Sequence, residues 1–130
     1  MYALINKIKN AIVALEKENH PLLICALFLR KDSLEKWDIV VSASWLDSTT
    51  MKSYESVVSS LQKHLDKSDF VEISRVVLLN QDDSVVSYLQ SLKTITNGGF
   101  EELKESELSE KFGFDIKRAY LLRSQKPDSK

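Results

Sequence analysis

Two short polar stretches carry the residue types that hold ligands. Asp47-Ser48-Thr49-Thr50 sets a carboxylate beside three hydroxyls, and Asn80-Gln81-Asp82-Asp83 sets two carboxylates beside two amides. Asp47, Asp82 and Asp83 together suit a hard cation such as magnesium, while the Ser48, Thr49 and Thr50 hydroxyls suit an anion. With Ser44 and Asn80 at the strand ends, the candidate ligand-binding set is Ser44, Asp47, Ser48, Thr49, Asn80, Asp82 and Asp83. The same residue types also cap helices. Asp47 or Ser48 stands just before one helical pattern and Asp82 or Asp83 just before another, where a side-chain oxygen takes up an unpaired helix N–H.

Other constellations are incomplete. A thiolate nucleophile at Cys25 needs access and a base, and His20 and His64 are the only imidazoles in the chain. Cys25 instead sits within the apolar run LLICALFL, which is where an inert packing cysteine belongs. One cysteine and two histidines do not make a zinc site. Glu102-Leu103-Lys104 has the Glu-x-Lys spacing of metal-dependent nucleases, but no convincing strand supplies the partner aspartate. The three glycines, Gly98, Gly99 and Gly113, form no phosphate loop, and no nucleophile elbow, metalloprotease helix or calcium loop is present. No catalytic residue, metal or cofactor is therefore assigned.

The elements that must position these residues are legible from periodicity. Ile5, Ile8, Ile12 and Leu15 predict an amphipathic helix over Tyr2 to Lys17, which Pro21 brings to an end. Leu22 to Leu29 is apolar on both faces and predicts an interior strand. In the stretch from Lys36, Trp37, Ile39, Val41, Ala43 and Trp45 alternate with Asp38, Val40, Ser42 and Ser44, predicting a second strand with one core face. Both tryptophans then share that face and pack under helices. A second helix follows over Thr50 to Lys67, then an interior strand over Ile73 to Leu79 and a third helix over Ser84 to Leu92. Thr96-Asn97-Gly98-Gly99 is the strongest turn signal. Phe100 to Lys104 reads as an edge strand, and Phe114 to Arg123 as a final strand with Phe114, Ile116, Arg118, Tyr120 and Leu122 on one face.

This order, α-β-β-α-β-α-(β)-β, predicts a single α/β domain over 1–124 with a mixed sheet of four to five strands and three main helices, and a frayed tail over 125–130. The first two strands form an antiparallel hairpin, and the strand-helix-strand crossover makes the second and third parallel. The greater apolarity of the first and third strands places the first between the other two. The polar loops fall at the carboxyl ends of the parallel strands, where open α/β sheets hold ligands.

Composition bounds the function. A chain of 130 residues, 43% apolar, 28% charged and of net charge -1, is a soluble globular type with no global attraction to nucleic acid or anionic membrane. Lys117, Arg118, Arg123, Lys126 and Lys130 are offset by Glu101, Glu102, Glu105, Glu107 and Glu110, a polarised surface that suits a protein partner. Lys7 and Lys9 interrupt any secretory apolar run, and the single cysteine favours a reducing compartment, so the expectation is a cytoplasmic protein. The reading is a binding or protein-interaction module without catalysis, docking a partner or a second copy at a sheet edge. The alternative is a metal-dependent enzyme acting on phosphate esters or nucleic acid through Asp47, Asp82 and Asp83.

Overall fold

The computed structural model describes residues 2–31, 36–47, 50–96, 99–103, 109–110, 112–113 and 115–126. The chain runs α1 (Tyr2–Glu18), β1 (Ile24–Arg30), β2 (Trp37–Ser42), α2 (Met51–His64), α3 (Lys67–Val71), β3 (Ile73–Leu78), α4 (Ser84–Leu92), β4 (Glu101–Leu103) and β5 (Ile116–Ser124). The strands form one mixed five-stranded sheet in the order β3-β2-β1-β5-β4. Only β2 and β3 are parallel; the β1–β2, β1–β5 and β4–β5 pairs are antiparallel.

Alternation along the strands divides the interior in two. Cys25, Leu27 and Leu29 of β1, Ile39 and Val41 of β2, and Tyr120 and Leu122 of β5 face α1 and α2. Ile24, Ala26 and Phe28, with Val40 and Leu121, face the opposite side and pack against Val85, Val86 and Leu89 of α4. The α1 stripe of Ile5, Ile8, Ile12 and Leu15 is buried, as its 3.6-residue period requires. Ser60, whose type disfavours a helix interior, is buried in α2 and donates to Ala11 O at 2.8 Å, tying α2 to α1.

The expected strand order is corrected: β1 does not lie between β2 and β3 but between β2 and β5, while β2 lies between β3 and β1 and β3 is an edge. Apolar content misplaced β3, because Ile73, Val76, Val77 and Leu78 are only half-buried. Polarity misplaced β2, all of whose residues are buried, including Asp38. Strand β2 also stops at Ser42, so Trp45 lies beyond the strand that holds Trp37, although both pack against the same core on the α1 and α2 side. Trp37 is buried against Tyr120, whereas the Trp45 indole N–H donates to His20 O at 2.8 Å in the turn beyond.

Two further corrections have local causes. The single helix expected over Thr50 to Lys67 is broken at Leu65–Asp66, where Asp66 and Asp69 form a reciprocal capping box that starts α3. In β5, register shifts lie beside the Arg30–Ile116 and Cys25–Arg123 pairs, so Ile116 packs on the α4 side while Tyr120 and Leu122 pack on the α1 side. A strict period of two therefore misassigned one face, and Phe114 lies outside the described residues. Gln125 is held: its N–H donates to Leu23 O, its side-chain amide donates to Leu22 O, and its own carbonyl accepts from Gln90.

Candidate functional site

Leu79 N–H donates to Val41 O, which aligns the carboxyl ends of β2 and β3. The chain leaves β2 toward α2 on one face of the sheet and leaves β3 toward α4 on the other. Neighbouring parallel strands with diverging exits open a crevice at their carboxyl ends. Ser44 and Asp47 follow the end of β2 and Asn80, Asp82 and Asp83 follow the end of β3, all exposed except the half-buried Asp83. Ser48 and Thr49 lie outside the described residues.

Local hydrogen bonding accounts for much of this polarity. Thr50, rather than Asp47, is the N-cap of α2, accepting from Ser53 N–H at 3.4 Å. The Asp47 carbonyl accepts from the Thr50 hydroxyl at 3.2 Å, and its N–H donates to Ser53 Oγ at 3.0 Å. Asp83 caps α4, accepting Val85 N–H at 2.8 Å on Oδ1. Among the described residues no three His, Cys, Asp or Glu side chains stand close enough together to hold a metal ion. Glu102 pairs with Arg118 at 3.4 Å, and Lys104 of the Glu-x-Lys pattern lies outside the described residues.

Sequence reasoning missed the most buried charge in the fold. Asp38 is wholly buried at the start of β2, where its Oδ2 takes Arg30 Nε at 2.8 Å and Arg75 Nε at 3.1 Å. Three strands thus converge on one carboxylate oxygen, and Arg30 reaches on to Ser74 Oγ at 3.2 Å. Asp38 Oδ1 is buried with no hydrogen-bond partner. A charge near the start of an otherwise largely apolar strand, with arginines on the two strands beside it, was the available signal. It marks a structural clamp at the sheet end opposite the crevice.

Burial disarms Cys25, beside a second buried charge pair. Arg123 donates to Glu16 Oε1 at 2.7 Å and to Thr96 O, while Glu16 Oε2 accepts Leu22 N–H at 2.7 Å. Cys25 lies opposite Arg123 in the β1–β5 register. Burial pushes its thiol up to about 12, Arg123 only partly opposing and Glu16 adding to the rise. A thiol held so far above neutrality is not a nucleophile. His64 is likewise engaged, its Nδ1 donating to Ser60 O at 2.9 Å.

A polar-rimmed groove of about 440 Å³ is lined by His20, Pro21, Leu22, Leu23, Ser44, Gln125 and Lys126. Among the described residues of the candidate ligand-binding set, Ser44 alone lines it. The chain matches no family model, no curated protein and no solved structure. No helix among the described residues is long and apolar enough to cross a membrane.

Proposed function

We propose that this protein is a cytoplasmic binding module, without chemistry of its own, that accepts an extended segment of a partner protein along β3. The observation that carries this reading is the position of β3 at the end of the sheet. Because Leu79 N–H points to β2, strand alternation turns the N–H and C=O groups of Val76 and Leu78 away from it. The opposite edge, β4, is only three residues long, a common way of blunting an edge. Strand β3 begins with a register shift near Ser74 and the inward-directed Arg75, both protective devices. From Val76 to Gln81 the edge carries no charge and no proline. Added-strand recognition needs such a stretch: main-chain hydrogen bonds supply affinity and alternate side chains supply selectivity. Val71 and Met51, on the helices that connect β2 to β3, add exposed apolar surface. The buried, disulfide-free Cys25 accords with a reducing compartment.

Selection of linear peptides from a random library on the immobilised chain tests this. Selected peptides should carry alternating apolar residues and should lose binding to Val77→Lys, which sets a charge on the edge strand, with circular dichroism confirming that the variant is folded. Peptides that bind a folded Val77→Lys variant as well as the wild type would overturn the reading. Sedimentation of the pure chain separates the homodimer outcome, since self-pairing at β3 would appear as a concentration-dependent dimer.

A further inference from the structure

The groove beside Ser44 is a separate feature from the β3 edge, which lines none of it. Its walls are fixed by the main chain. Leu23 N–H donates to Ser42 O, Gln125 N–H donates to Leu23 O, and Trp45 holds His20 O. The 20–23 strap is therefore pinned between the end of β2 and the end of β5 before any ligand arrives, the preformed condition typical of small-molecule sites. Its volume of about 440 Å³ lies within the range of such sites.

The lining has one electrostatic sense. Among the described residues its ionisable side chains are Lys126 and His20, and no Asp or Glu lines it. Glu16, close by at the end of α1, is turned inward to Arg123 and the Leu22 N–H. Ser44 adds a hydroxyl donor, and Pro21 with the Leu22–Leu23 strap adds apolar wall. We propose that this groove binds a small organic anion, a carboxylate or phosphate with a short apolar body, its charge on Lys126 and Ser44 and its body against Pro21. Lysine serves such a ligand as a point charge, so either anionic group fits.

The test uses the full chain, labelled for residue-resolved NMR and held at constant ionic strength, titrated separately with benzoate, phenyl phosphate and benzylammonium. At least one of the two anions should give saturable shifts of the Leu23, Ser44, Gln125 and Lys126 amides, and the two arms show which anionic group is preferred. Benzylammonium should give none. Lys126→Gln, an exposed change at the chain surface, should weaken the anion about tenfold, the loss of one charge-assisted hydrogen bond. Absence of saturable shifts with both anions, equal binding of benzylammonium, or an unchanged affinity in Lys126→Gln would each overturn the proposal. None of these results depends on whether β3 accepts a peptide.

Discussion

Asp38 holds three strands through a single oxygen, and its removal should be felt throughout the sheet. Arg30 has only 15% of its side chain exposed, so Asp38→Ala takes away the carboxylate that balances a largely buried cation. The expected cost is about 3–5 kcal/mol of unfolding free energy, read by denaturant titration. A loss below about 1 kcal/mol would mean that water replaces the carboxylate freely. Cys25 makes the opposite kind of prediction. With its thiol raised to about 12 and no exposed surface, it should resist aromatic disulfide reagents in the native protein and react only as fast as the chain opens. Rapid stoichiometric labelling under native conditions would contradict this. Neither role was readable from residue type alone. An aspartate in a strand looks like a solvent-facing residue until the arginines from β1 and β3 are seen to close on it. The bland reading of Cys25 needed only its apolar neighbours.

At the scale of elements, the periodic segments were legible and their junctions were not. The α1 stripe and α4 follow from spacing alone, because one buried face dictates a 3.6-residue repeat. The break between α2 and α3 depends on an aspartate pair that resembles ordinary helix polarity in sequence. The Ser68 hydroxyl and then the Asp69 N–H hold the Asp66 carboxyl down at about 2, with a smaller contribution from Lys7. A carboxyl lowered in the folded state stabilises above its unfolded value, near 4, and that contribution disappears as pH falls through its folded value. The difference in melting midpoint between wild type and Asp66→Ala should thus persist at pH 5 and close between about pH 4 and pH 2. A difference independent of pH over that window would remove the carboxylate from the capping of α3. The polar loops show the same limit: capping and ligand binding draw on the same residues. Asp83 proved to be a cap, whereas Asp47 gave way to Thr50 because the helix begins later than the polar run.

At the scale of the whole molecule, one mixed sheet separates a larger core beneath α1 and α2 from a smaller one beneath α4. Fold class followed from element order, since strands and helices alternating in this way leave few alternatives. Strand order did not follow, because flanking helices can make an edge strand as apolar as an interior one. That error matters most for function: an interior β3 would have nothing to offer a partner, while an edge β3 presents an uncharged stretch of main chain. Residue-resolved amide exchange across β3, in the free chain and with a selected peptide bound, tests this most directly. In the free chain at low concentration, Val77 and Leu79 should be protected and Val76 and Leu78 should exchange quickly, and the peptide should protect all four. Slow exchange at Val76 and Leu78 in the monomer, or their continued rapid exchange in the complex, would contradict the docking of partners at this edge.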